Sequence, residues 1–291
     1  MLRPEESRTS VIRLRDGRRL AFAEWGDPGG RPVIHHHGTP GSRLEHEGAT
    51  DVYRAAGVRV ITPDRPGYGL SDPLPGRTLL DWPADVAELA GALGLERFAI
   101  TGLSGGGVPA LACAYTMPER LTSVVLASCP APMDRPGALR GMRLLNRSGV
   151  LLARAAPALF SAGCRLVGPF VAGHPGFIYE RSGREWPVPD RRWLRVPDVR
   201  RAEVTTLREA LRPGADGYAR DVVLLARAWG FAPADIVVPV RLWHGDADTV
   251  VPLDHARYLA AAIPGATLRI CPGEGHMVMW NHLAEVLAAA S

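Results

Sequence analysis

Short apolar runs bounded by turn residues alternate along most of this chain with longer stretches of helical periodicity. Residues 10–15 and 18–25 alternate in polarity around Asp16-Gly17, which predicts a hairpin. Further strands are predicted at 32–37, 58–62, 97–103, 121–128, 240–244 and 267–271. Helices are predicted at 79–93, with Asp81 as cap, at 253–262 and at 277–290. Strands that alternate with helices predict an α/β fold. The expected architecture is a doubly wound, mainly parallel sheet whose antiparallel start lies at an edge.

Residues 134–232 break this rhythm. Helical runs at 139–160, 199–211 and 221–229 surround a loop at 173–197 rich in proline, arginine and aromatics. The expected organisation is a core made of residues 1–133 and 233–291, with an inserted helical cap at 134–232. Sites in such sheets lie beyond the carboxyl ends of the strands. His37, Ser104, Asp248 and His276 all fall in loops that follow predicted strands, so they can converge.

Gly102-Leu103-Ser104-Gly105-Gly106 is a G-x-S-x-G pattern between an apolar strand and a helix-compatible run. By composition alone the pattern would occur in roughly one such chain in eight, so its context must carry the argument. A strand–turn–helix context holds a serine on a strained backbone with its hydroxyl exposed. Neighbouring turns press close there, which suits the small Gly102 and Gly106.

A serine nucleophile needs a base, and the base needs an orienting carboxylate. His276, in the flexible turn Gly273-Glu274-Gly275-His276, is the best base among nine histidines. Asp248, in His244-Gly245-Asp246-Ala247-Asp248, is the preferred acid. Asp246 competes for that role, and Asp134 is a remoter alternative. A tetrahedral intermediate needs preorganised N–H donors. Gly105 supplies one, and the His37-Gly38-Thr39 turn supplies another, through the Thr39 amide.

With these residues identified, the chain resembles the α/β-hydrolase superfamily, in its cap-bearing serine hydrolase branch. The elements that carry the resemblance are His37-Gly38-Thr39-Pro40-Gly41, Asp64-Arg65-Pro66-Gly67-Tyr68-Gly69-Leu70-Ser71-Asp72, Gly102 to Gly106, Gly245 to Asp248, and Gly273 to His276. They occur in the family's order and span nearly all of the chain outside the cap. The resemblance implies Ser104 as nucleophile, Asp248 as acid and His276 as base, in a carboxylesterase-like enzyme that needs no cofactor or metal. Dehalogenases and epoxide hydrolases of the superfamily carry an aspartate at the nucleophile position, and Ser104 argues against both. Prolyl-iminopeptidase-like members are similar at His37-Gly38, but their pattern has glycine and tryptophan where this chain has Thr39 and Gly105. The expected substrate is a small or medium hydrophobic ester or lactone. A carbon–carbon bond hydrolase acting on a vinylogous diketone is the first alternative, and a non-hydrolytic ligand receptor the second.

Composition narrows the chemistry further. All 34 basic residues are arginine, so Schiff-base catalysis and a lysine base are excluded. Cys113, Cys129, Cys164 and Cys271 show no metal-ligand spacing and are expected as buried free thiols. Three consecutive histidines, His35 to His37, would alternate faces on a strand and cannot share a ligand shell. His255 and His282 are expected at surface positions of helices. The 134–232 segment holds 17 arginines against 9 acids, which suits an anionic substrate, a membrane surface or simply a solvated face. No nucleic-acid motif accompanies this charge. Residues 1–6 lack the apolar core of a signal segment, and no apolar run is long enough to span a bilayer. A cytoplasmic chain without stable membrane insertion is expected.

Overall fold

The computed structural model describes residues 8–290; residues 1–6, read above for a signal segment, lie outside them. Eight strands form one sheet: β1 (Arg8–Arg13), β2 (Arg19–Gly26), β3 (Arg31–His36), β4 (Val58–Pro63), β5 (Phe98–Leu103), β6 (Leu121–Ala127), β7 (Val240–Gly245) and β8 (Thr267–Cys271). Their spatial order is β1-β2-β4-β3-β5-β6-β7-β8. The pairs β1/β2 and β2/β4 are antiparallel, and the rest are parallel. Gly17, at φ +89°, makes the tight reversal between β1 and β2 that the sequence predicts. Every residue of β5 is buried, as a central strand covered on both faces requires.

Helices α1 (Thr50–Ala55), α2 (Trp82–Ala92) and α3 (Gly107–Thr116) alternate with the first strands. Between β6 and β7 the chain inserts five helices: α4 (Leu144–Ala155), α5 (Pro157–Gly173), α6 (Pro175–Ser182), α7 (Pro197–Ala210) and α8 (Asp216–Leu225). Short 3₁₀ turns at Gly183–Glu185 and Val188–Arg195 connect α6 to α7. The chain closes with α9 (Asp254–Ala262), α10 (Val278–Asn281) and α11 (Leu283–Ala289).

Two apolar cores result, one on each face of the sheet. Val86 and Leu89 of α2, Val108 and Leu111 of α3 and Leu259 of α9 fill one. Tyr53 of α1, Val278 of α10 and Val286 of α11 are packed in the other. The sheet is therefore doubly wound, and its strand ends meet the inserted helices.

Several local expectations are corrected. The 139–160 run is two helices, because Pro157 has no N–H to continue α4 and starts α5 instead. The expected loop at 173–197 holds α6 and the two 3₁₀ turns. Helix α8 begins five residues earlier than the predicted 221. The final helix breaks at His282, whose ring nitrogens lie 2.8 Å from Glu274 and 3.2 Å from Glu285. Asp81 precedes α2, but its carboxylate takes the Thr78 N–H at 2.6 Å and gives no cap bond to the helix. Cys164 is half-buried while the other three thiols are buried. His255 is buried, accepting the Ala131 N–H at 3.0 Å, and His282 is half-buried.

Candidate active site

Ser104 follows β5 directly and has φ +52°, a left-handed conformation that a β-carbon disfavours. The turn is tight on every side. A β-carbon on Gly106 would lie 2.2 Å from the His36 carbonyl oxygen, and one on Gly102 would lie 2.8 Å from Gly107 Cα. These two glycines let the strand reverse into α3 with Ser104 at the apex. Ser104 remains half-exposed among buried neighbours.

His276 comes from the loop between β8 and α10. Its Nε2 lies 2.9 Å from Ser104 Oγ, and its Nδ1 lies 2.7 Å from Asp248 Oδ2. Asp248, in the loop after β7, is buried. Its other oxygen accepts the Val250 and Val251 N–H groups at 2.8 and 2.9 Å. Nδ1–H donation to this carboxylate leaves Nε2 to accept the serine proton. Burial disfavours a charged His276, but the adjacent Asp248 outweighs it and holds the pKa above its ordinary value. For Asp248 itself burial works upward, and the pull of His276 leaves the carboxyl below the usual range. His244, 3.5 Å from Asp248, is kept neutral by burial. Asp246 is exposed and accepts the Gly273 N–H at 2.7 Å; Asp134 is exposed.

The structure brings Thr39 and Gly105 together. A β-carbon on Gly105 would lie 2.5 Å from Thr39 Oγ1, so the hydroxyl occupies the space a side chain at 105 would need. The two departures from the iminopeptidase-like pattern therefore depend on one another. Arg65, fully buried, donates to the carbonyls of His37 and of Gly38 (2.8 Å) and to Thr39 Oγ1 (2.9 Å). Beneath the turn, Glu45 accepts the Gly38 N–H at 2.9 Å and its other oxygen lies 2.9 Å from His35 Nε2. Burial pushes the Glu45 carboxyl up to about 7.

Residues of the inserted helices hold these turns, and sequence reasoning missed them. Asp221 of α8 accepts from Arg65 Nε at 2.8 Å, from the Tyr68 hydroxyl at 2.9 Å and from Arg77. The two guanidinium groups overcome burial and hold its carboxyl far below the usual range. Asp190, in the Val188–Arg195 turn and only 1% exposed, accepts the His276 N–H at 2.6 Å and the Met277 N–H at 3.1 Å. Ser128 Oγ donates to the His276 carbonyl at 2.9 Å from the core side. The peptide of His276 is thus held by the inserted segment at its N–H and by the end of β6 at its C=O.

Among the described residues, two groups gather metal-ligating atoms within 4.8 Å: His35, Glu45 and His46, and Cys271, Glu274 and His282. Both are already linked by internal hydrogen bonds. The narrow cavity beside Gly105 is lined by Leu79, Trp82, Pro109 and Leu225, with Arg65 and Asp221. Of the aromatics between residues 134 and 232, Phe170 and Phe177 are exposed and Trp229 is packed in the main core, and none of these three is among the residues that line that cavity.

A family model described as the alpha/beta hydrolase fold matches residues 31–283. The chain belongs to the alpha/beta hydrolase family. It is 37% identical to a proline iminopeptidase of Xylella fastidiosa, over 95% of this chain and 93% of that one. It is 28% identical to a 2-hydroxy-6-oxo-6-phenylhexa-2,4-dienoate hydrolase of Burkholderia cepacia, over 86% of this chain and 82% of that one. Among solved structures, an esterase from Exiguobacterium antarcticum shares the fold with a TM-score of 0.70 at 21% identity, covering 96% of each chain. As a family member the chain is a hydrolase acting on a small-molecule substrate, and no described helix is long and apolar enough to cross a membrane.

Proposed function

We propose that this hydrolase cleaves a small or medium hydrophobic ester or lactone through an acyl-enzyme. Ser104 Oγ attacks the carbonyl carbon while His276 Nε2 takes its proton, and Asp248 stabilises the imidazolium. The amides of Thr39 and Gly105 receive the developing oxyanion. The imidazolium returns the proton to the leaving alkoxide, the ester C–O bond breaks, and water then attacks the acyl-enzyme with His276 again as base. Residues 134–232 act as the cap between core segments 1–133 and 233–291, and the substrate is a cytoplasmic metabolite. One observation carries this reading: the unbroken hydrogen-bond chain from Asp248 through His276 to Ser104, with the serine at a left-handed apex.

A second reading is carbon–carbon cleavage of a vinylogous diketone, supported by the similarity to the dienoate hydrolase. The same three residues would serve it. A turnover panel of short esters, lactones, a vinylogous diketone and a prolyl amide tests both. Ester or lactone turnover that falls by about four orders of magnitude or more in Ser104→Ala supports the proposal. Turnover of the diketone alone would establish the second reading, and prolyl amide turnover alone would move the enzyme to the iminopeptidases. Binding of such ligands with no turnover at all would favour a receptor.

A further inference from the structure

Helices α4 and α5 pack against α8 and leave their other sides bare. Val150 and Ala153 of α4 and Phe160 of α5 join Ala219 and Val223 of α8 in one apolar cluster. On the opposite side of α4, Leu144, Leu145 and Leu152 are exposed; on α5 the same holds for Leu159, Leu166 and Phe170. Leu166 is 82% exposed and Leu144 79%. Positions 159, 166 and 170 stand seven and four apart, on one side of a helix. The Phe170 ring lies 6.2 Å from Phe177, which carries the stripe onto α6. Scattered exposed leucines are ordinary, but a continuous apolar face on adjoining helices marks a contact surface.

The charge of this region indicates the partner. Residues 135–179 contain six arginines and no aspartate or glutamate. Arg147 and Arg154 stand two turns apart on α4, along the edge between its packed and bare sides. With Arg135 and Arg140 they line a cleft of about 410 Å³ at the base of that helix, where Asp134 is the one acid in the lining. Arg135 Nε and Nη2 are buried there without a hydrogen-bond partner among the described residues. Arg165 of α5 is ion-paired with Asp216 at 2.9 Å, which leaves the arginines of α4 and the cleft as the main charge beside the leucines. An apolar helix face edged by arginines is the pattern that lies in a bilayer interface, with guanidinium groups among lipid phosphates. A second copy on the same face would bring two arginine-rich clusters together, each with Asp134 as its one lining acid.

We propose that the α4–α5 face docks on an anionic phospholipid bilayer, with its leucines at the acyl boundary and Arg140 and Arg147 on the headgroups. The surface is distinct from the Ser104 site, and its test does not depend on turnover. The intact protein is sedimented with vesicles of phosphatidylcholine alone and of phosphatidylcholine mixed with phosphatidylglycerol, at low and high salt. The expected result is salt-sensitive binding to the mixed vesicles and much weaker binding to the neutral ones. Leu159→Glu with Leu166→Glu should weaken binding at least about tenfold. Arg140→Gln with Arg147→Gln should weaken it about fivefold per charge removed. Both variants should melt at the wild-type temperature. Absence of vesicle binding, or equal binding to both compositions, would overturn the proposal. So would light scattering that shows a dimer dissociated by the paired glutamates, which would give the face to a second copy.

Discussion

The core and the inserted helices contribute to the site in different ways. The core supplies the candidate reacting groups: Ser104, His276 and Asp248 all stand in loops directly after parallel strands. The inserted helices supply anchors instead. Asp190 holds the backbone of His276, Asp221 holds Arg65 under the Thr39 turn, and Glu209 of α7 pairs with Arg43 at 2.7 Å. Thr206 adds a hydrogen bond to the Ser42 N–H at 3.1 Å. The cap is therefore built into the geometry of the core's turns, and a change in its seating reaches His276 and Thr39 directly.

The contrast breaks most sharply if the roles of the acids are misassigned. Asp248→Asn should lower kcat by about four orders of magnitude, because an amide favours the wrong imidazole tautomer. Asp246→Asn, at an exposed carboxylate with only the Gly273 bond to lose, should cost less than about tenfold. The reverse order in steady-state assays would displace Asp248.

Asp221→Ala should be the most damaging cap substitution. It leaves Arg65 and Arg77 buried without their shared carboxylate, at a cost of about 3–5 kcal/mol in denaturant unfolding. A loss under about 1 kcal/mol would mean that the cap does not anchor the turn.

Glu45 sharpens the core side. Its carboxyl has an ordinary pKa of 4.5 and is raised to about 7 in the fold. Between these values the folded state keeps a proton that the unfolded chain has released. Its contribution to stability is therefore full below about 4.5, falls as pH rises, and is gone above about 7, a span of about 3 kcal/mol. Glu45→Gln can still accept the Gly38 N–H and should remove this slope. An unchanged pH dependence of unfolding would contradict the assignment.

Asp190→Asn should cost far less than Asp248→Asn, about a tenfold loss in kcat from a looser His276 peptide. A second signature separates it from simple loss of fold. The Asp190 charge helps raise the His276 pKa, so its removal should move the acid limb of the rate profile to lower pH. An acid limb that stays in place would leave Asp190 a purely structural role.

These differences also explain what the sequence could convey. The hairpin, the parallel strands and the serine turn are encoded by neighbouring residues, through alternation, apolar runs and glycines, and the observed sheet follows them closely. The proposed triad was legible because each member sits in a short patterned loop. The helical insertion between β6 and β7 was legible but less so in detail, since Pro157 and Pro175 restart helices where periodicity runs on. Arg65 stood in a quoted motif without a role, because its carboxylate lies 156 residues away. Asp190 lies in a proline- and arginine-rich stretch with no local sign that it binds a backbone 86 residues downstream. His255 shows the same limit: helical spacing alone did not reveal that its ring accepts the Ala131 amide.

The central claim is that Ser104 is an activated nucleophile, and intact mass after exposure to a fluorophosphonate tests it most directly. The account predicts one stoichiometric adduct, mapped by peptide digestion to Ser104 and absent in Ser104→Ala. A folded protein that takes no adduct, or takes it on another residue, would contradict it.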